Sequence, residues 1–372
     1  MTDKKRILIC PLDWGLGHAG RDSKIIQSLS ARGHEIIIAG SGLSLSLLKT
    51  EFPDKKFLSI PASNIKYDRK IPAWLVILKQ FPGWIINIIR EHRILNKIVS
   101  NEQIDLVISD ARYGLWNSKI PSVLITHQLA IKLPFKSNFL ERIIMGTNRL
   151  AIKRFNACWI PDYQGFPNLG GGLSHIPAMP ENARYIGPIS RFDGVKHEAD
   201  QELKYEVVAV ISGPEPQRSV FEELLTRQLA GFKKKSLLVC GRPGVKENVN
   251  LSDFCTRVSF LTGEELADIL ISARFIICRS GYSSIMDLAS LKKTAYLVPT
   301  PGQTEQEYLA DYLSENNMFP YCKQKNFNLQ DAISVLDNYK SKHLEFDPDL
   351  LAKAITELEE MGKPGIPTSQ QE

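Results

Sequence analysis

A chain of 372 residues, 43% hydrophobic and 23% charged with 24 Gly and 21 Pro, suits a soluble globular protein of about two ordinary domains. Disordered, collagen-like and disulfide-stapled classes are excluded; six scattered cysteines (Cys10, Cys158, Cys240, Cys255, Cys278, Cys322) form no Cys-x-x-Cys pair, against structural zinc and for a reducing compartment. The net charge of +5 conceals a basic front. Residues 1–200 hold 27 Lys/Arg against 17 Asp/Glu and residues 201–372 hold 19 against 24, so the first half is expected to face an anion, with nucleic acid and an anionic membrane as the candidates.

Lys4, Lys5 and Arg6 precede an apolar run of only Ile7–Cys10, too short for a signal-peptide core, which predicts a cytoplasmic protein. Short β-branched runs at 6–10, 34–39, 104–109 and 121–126 predict buried parallel strands, with helices between them such as 20–32. Residues 161–200, rich in Pro, Gly and Asn, read as a linker. A second series follows, with strands at 205–211, 235–240, 255–260, 274–278 and 294–298 and helices at 215–231, 263–272, 282–291, 303–316 and 348–361. The alternation predicts two doubly wound α/β domains, 1–200 and 201–372, facing across a cleft, with the last helix able to pack back on the first domain. Ligands of such sheets bind beyond the carboxyl ends of the strands, so the residues just after each strand are the ones that matter.

After the first strand, Gly15 to Gly20 spell Gly-x-Gly-x-x-Gly, the dinucleotide fingerprint. Four residues separate it from its strand, and the second strand ends Ile38-Ala39-Gly40-Ser41 without the carboxylate a ribose needs, so the dinucleotide reading is weak. The loop offers instead a histidine, His18, at a helix start, with Gly15 and Gly17 allowing close approach of a ligand. The positive helix end favours a neutral ring, the form a general base requires. Asp110 and His127 follow two further strands on the same edge. Asp110 is placed to orient His18 as in a catalytic triad, or to cap the next segment. His127 reads equally as a site residue or a packed loop residue.

In the second half, the strand ending at Cys278 empties through Arg279-Ser280-Gly281 into a helix whose first turn is rich in hydroxyls. Backbone N–H groups and the positive helix end suit a diphosphate there. Asp287, one turn on, could receive ribose hydroxyls or simply complement the helix dipole. The next strand opens into Thr300-Pro301-Gly302-Gln303-Thr304-Glu305-Gln306-Glu307, polar residues able to bind a sugar or to cap a helix.

The run CRSGYSSIMDLASLKKTAYLVPTPGQTEQEYLADYL resembles the nucleotide-sugar-binding half of glycosyltransferase family 28, the group of the peptidoglycan N-acetylglucosaminyltransferase and the galactolipid synthases. The Gly-x-Gly-His loop is similar to that group's acceptor-side loop. The resemblance implies a GT-B fold of two Rossmann-like domains, with the donor in the second and the acceptor in the first. It implies that the backbone at Leu261 meets the base, that Ser280 and Gly281 hold the diphosphate beside Ser212 and Gly213 with Arg218 assisting, and that Asp287 binds the ribose. Gln306 and Glu307 fall where the family has two sugar-reading glutamines, and Glu307 departs from that pattern. It further implies inversion, a UDP-linked donor and a lipid-linked acceptor. No Asp-x-Asp follows a hydrophobic strand, so no metal and no cofactor are expected.

Residues 71–99 and 132–154 combine aromatic and apolar runs with Lys79, Arg90, Arg93 and Lys97, too short to span a bilayer but suited to its interface. They fit a peripheral contact with the inner face of the cell membrane, or two core helices with basic edges. Nucleic acid is disfavoured because no recognition motif accompanies the charge. A nucleotide-sugar 2-epimerase, a hydrolase or a non-catalytic binding subunit remain alternatives on the same fold.

Overall fold

The computed structural model describes residues 4–13, 16–61, 73–133, 137–195, 202–242, 245, 247–345, 347 and 349–361. The first half runs β1 (Arg6–Cys10), α1 (Leu16–Ala31), β2 (Glu35–Gly40), α2 (Gly42–Glu51), β3 (Lys56–Ser59), α3 (Ala73–Asn101), β4 (Leu106–Asp110), β5 (Ser122–Ile125), α4 (Asn138–Ile152), β6 (Ala157–Ile160) and β7 (Ala183–Tyr185). Its strands form one parallel sheet in the order β3-β2-β1-β4-β5-β6-β7. Alternate residues feed opposite faces. Ile7 and Ile9 pack with Ala19, Ile25 and Leu29 of α1, whereas Leu8 and Cys10 pack with Leu95 of α3. Burial on both faces is why these strands read as unbroken apolar runs.

The second half runs β8 (Tyr205–Val210), α5 (Gln217–Ala230), β9 (Ser236–Val239), β10 (Asn248–Asn250), β11 (Cys255–Val258), α6 (Gly263–Ile271), β12 (Ala273–Cys278), α7 (Tyr282–Ser290), β13 (Ala295–Leu297), α8 (Thr304–Glu315), α9 (Leu329–Asn338) and α10 (Leu350–Glu360). The sheet order is β10-β11-β9-β8-β12-β13, antiparallel only at β10. Val208 faces one core and Val207 and Ala209 the other. Both sheets are doubly wound. The strand order reverses between β1 and β4 in the first and between β8 and β12 in the second, and at such switch points the loops diverge and leave a crevice.

Three expectations change. Helix α1 starts at Leu16 rather than at residue 20, so His18 lies inside its first turn. Residues 161–195 are more than a tether: β7 extends the first sheet, while Leu169, Leu173 and Phe192 enter the second domain's core. The two apolar runs of 71–99 join in one helix, α3, which continues through Pro82 and Gly83. Helix α10 returns to the first domain, where Ala354, Ile355 and Leu358 join the core beneath α1. Glu359 fixes its end, 2.9 Å from Arg32 and 2.8 Å from His34.

Candidate active site

The first-domain switch point brings together three polar side chains. Asp110, the last residue of β4, is fully buried, and its Oδ2 lies 2.8 Å from Nδ1 of His18 on α1. Arg21, one turn after His18 and also buried, donates through Nε to the same oxygen at 3.3 Å and through Nη2 to Oδ1. Arg21 Nη2 lies 3.0 Å from His18 Nδ1 as well. Because an ionised carboxylate can only accept and Asp110 Oδ2 lies against Nδ1, the consistent tautomer has His18 donating Nδ1–H to Asp110, which leaves Nε2 able to take a proton. Burial opposes the Asp110 charge, but Arg21 and then His18 outweigh it and hold this carboxyl below its usual range. The next residue on α1, Asp22, is also fully buried, and neither of its carboxyl oxygens has a hydrogen-bond partner among the described residues. Burial, followed by repulsion from Asp110, pushes its pKa well up.

His127 stands two residues beyond β5 and faces the other domain. Its Nε2 lies 2.8 Å from Glu305 Oε1 in the first turn of α8, and Gln128 donates to the second oxygen. The ring stacks on Tyr282, with centroids 4.0 Å apart and planes 2° from parallel, and the Tyr282 hydroxyl donates to the Pro161 carbonyl at 2.9 Å. Burial would raise the Glu305 pKa, yet His127 foremost, with His18 and Gln128 contributing, keeps it low. The Glu305 carboxylate therefore lies in the cleft within the field of both histidines.

On the second-domain side, Gly281 caps α7, and the buried Ser280 donates its hydroxyl to the Gln306 carbonyl at 2.8 Å. The Gln306 side chain accepts from the Thr300 N–H at 2.9 Å, and its amide nitrogen lies 3.8 Å from where a Cβ on Gly281 would sit. Gln306 thus braces the turn after β13 against the turn after β12. Ser212 and Gly213 follow β8, and Gly213, at φ +103°, holds a conformation that side-chain-bearing residues rarely adopt. Leu261 precedes α6, held by a capping box in which Thr262 N–H donates to Glu265 Oε2 at 2.7 Å and Glu265 N–H to the Thr262 hydroxyl at 3.4 Å.

The two switch points meet nose to nose. A Cβ on Gly17 would stand 2.6 Å from Ser283 Oγ, so the N-termini of α1 and α7 touch and direct two positive helix ends into one place. Other residues proposed from sequence have partners of their own in the protein. Arg218 donates to Glu215 at 3.0 Å, and Glu307 accepts from Gly302 N–H at 3.0 Å within its own turn. Asp287 accepts from the Ser190 hydroxyl at 2.7 Å and pairs with Arg191 at 3.3 Å, and burial raises its pKa. Gly15 lies outside the described residues. Among the described residues, no group of three or more His, Cys, Asp or Glu side chains is arranged to hold a metal ion.

Residues 218–360 match the family model for the glycosyltransferase family 28 C-terminal domain. Two relatives, each described as an uncharacterized glycosyltransferase, are 24% identical: one from Methanosarcina acetivorans over 83% of both chains, and one from Methanosarcina mazei over 90% of this chain and 91% of its own. Among solved structures, the glycotransferase of kitacinnamycin superposes with a TM-score of 0.62 at 14% identity over 97% of this chain and 95% of its own. The spinosyn rhamnosyltransferase SpnG in complex with thymidine diphosphate gives 0.60 at 14% over 95% of each, and MurG of Acinetobacter baumannii 0.54 at 13% over 96% and 100%. The chain is a GT-B glycosyltransferase. Its second half carries the family 28 C-terminal domain.

Three cleft residues of this glycosyltransferase escaped the sequence reading. Arg21 had a signal: it lies three residues after His18, on the same helix face. Glu305 belongs to the polar run after β13, but the cleft-facing carboxylate is one helical position before Gln306, and helix phase rather than composition selects it. Tyr282 looks like any apolar helix residue until the first domain is placed over it.

Proposed function

We propose that this glycosyltransferase moves a sugar from a nucleoside diphosphate, UDP first among them, to an acceptor hydroxyl with inversion at the anomeric carbon. His18 Nε2 takes the proton of the acceptor hydroxyl as its oxygen bonds to the anomeric carbon, while the bond from that carbon to the diphosphate oxygen breaks and its electron pair leaves with the diphosphate. Asp110 holds the ring and stabilises the imidazolium, and Arg21 fixes Asp110 in turn. The N–H groups at the start of α7, with Ser212 and Gly213, receive the diphosphate charge, so no metal is required. Glu305 and Gln306 read the sugar, and the backbone at Leu261 receives the base. The thymidine diphosphate complex of SpnG supports a nucleoside diphosphate as the leaving group.

One observation carries this reading: the His18–Asp110 pair sits at one switch point, directly against the helix end of the other. Thermal unfolding with UDP, TDP and uridine tests it. UDP at 100 times its Kd should add about 2.7 kcal/mol of stability and uridine far less, whereas indifference to every nucleoside diphosphate would overturn the proposal.

The acceptor is proposed to be lipid-linked and reached from an anionic membrane surface. Ile86 of α3 and Phe139 and Leu150 of α4 are 66%, 73% and 67% exposed, with Arg90, Arg93 and Arg142 exposed on the same two helices. Residues 71–72 and 134–136, and the side chains of Trp74, Lys79, Phe81 and Trp84, lie outside the described residues. Among the described residues no helix is long and apolar enough to cross a membrane, so contact would be interfacial. Flotation with phosphatidylglycerol liposomes at low salt should carry the protein upward, and Phe139→Glu should leave it at the bottom. A wild-type protein that stays down removes the membrane contact.

A further inference from the structure

The hydroxyl that the sequence assigns to the donor phosphates, on Ser280, is already committed to the Gln306 carbonyl. A different hydroxyl at the same crevice is free. Thr300 follows β13, is 4% exposed, and its Oγ1 is fully enclosed with no hydrogen-bond partner among the described residues. Its backbone is held in place, since the N–H donates to Gln306 Oε1 at 2.9 Å. The hydroxyl stands against the neighbouring switch-point turn, 3.8 Å from the position of a Cβ on Gly213. Gln303 Oε1, three residues on in the same turn, is also enclosed and unpaired. An enclosed hydroxyl without a partner forfeits roughly 1–3 kcal/mol relative to one that is paired, and Thr300 is set apart from others of this kind, such as Ser30 and Thr226, by its place against the switch-point turn.

We propose that Thr300 is a ligand for the donor, its hydroxyl donating to the phosphate that carries the sugar. The inference rests on the nucleoside diphosphate reading above. Three turns leave adjacent strands β8, β12 and β13 and converge, with Gln306 tying the last two together. A diphosphate seated on the α7 end spans from Ser280–Gly281 toward Ser212–Gly213, and the Thr300 hydroxyl lies beside the Gly213 end of that span. A small movement at Gly213, which has no side chain to displace, would open the hydroxyl to the ligand. As the sugar–phosphate bond breaks, negative charge grows on the oxygens of that phosphate, and a hydrogen bond to an ionised acceptor strengthens accordingly.

The test compares the wild type with Thr300→Val and Thr300→Ser, measuring UDP and UMP affinity by calorimetry and the unfolding of the unliganded proteins. Thr300→Val is expected to weaken UDP about tenfold, leave UMP unchanged, and unfold no earlier than the wild type, because an isosteric apolar group relieves an unpaired hydroxyl. Thr300→Ser should restore UDP binding. Equal UDP affinity in wild type and Thr300→Val would overturn the inference, as would equal losses for UDP and UMP, or a lowered unfolding temperature that accounts for the loss. A wild-type protein that binds neither nucleotide fails the underlying reading instead.

Discussion

Each half of the molecule buries an arginine beside its crevice, and the two are held in different ways. Arg21 meets a carboxylate, Asp110, with two donors. Arg279 meets none in its hydrogen bonds: it donates to the carbonyls of Val298, Pro299 and Gln217, with Phe221 lying 3.9 Å beneath its guanidinium. Burial lowers its pKa to about 9. The acceptor side is therefore built from interdependent side-chain charges, whereas the donor side is built from backbone groups that a buried cation holds in shape. A charge network can hold and move a proton, and a set of fixed N–H groups and carbonyls can receive a departing anion without reorganising. The two constructions suit the two ends of a transfer reaction.

The sharpest test of the charge network is kinetic. His18→Ala is expected to lower turnover by about 10²–10⁴-fold while UDP affinity stays within twofold of wild type, read by steady-state rates and calorimetry. Wild-type turnover would dismiss the base. Next in size is Arg21→Met, which strands a buried carboxylate and should cost about 3–5 kcal/mol in urea unfolding. Adding Asp110→Asn should recover much of that stability but none of the activity, since the pair and not either charge is what folding tolerates. Arg279→Met should cost less, roughly 1–3 kcal/mol, because it leaves carbonyls rather than an ion unpaired. If the two arginine variants unfold alike, the contrast between the halves is lost.

The smallest effect belongs to Asp22. Its folded pKa is raised by burial, so the folded protein keeps the proton while the unfolded chain gives it up near pH 4. Rising pH therefore favours the unfolded state, until the folded carboxyl itself ionises. Asp22→Asn should melt above wild type at pH 8, with the gap closing as pH falls toward 4. A gap that widened with acid would mean that Asp22 is ionised and paired.

Much of the fold was legible because it depends on local pattern. Strands such as 6–10, 274–278 and 205–211 stand out through continuous β-branched runs, and glycine and serine punctuate the turns at 212–213 and 280–281. Asp110 and His18 could be paired from topology, since both follow strands at one switch point. Arg21 and Glu305 were not legible in the same way. Their roles depend on which face of a helix turns inward and on how two domains are set against each other, and neither leaves a trace in local composition. Glu307, chosen from a run of polar residues, accepts from the Gly302 N–H of its own turn.

The return of α10 to the first domain adds a connection between the lobes, before Leu350, to the one that leads from β7 to β8. Any opening of the cleft must then pivot about two connections, much as a lid with paired hinges swings in one arc and resists twisting. The first lobe is also unfinished without the tail. Cutting the chain after residue 200 would uncover the slot of Ile355 and Leu358, so an isolated first lobe should be made by grafting α10 back rather than by truncation alone.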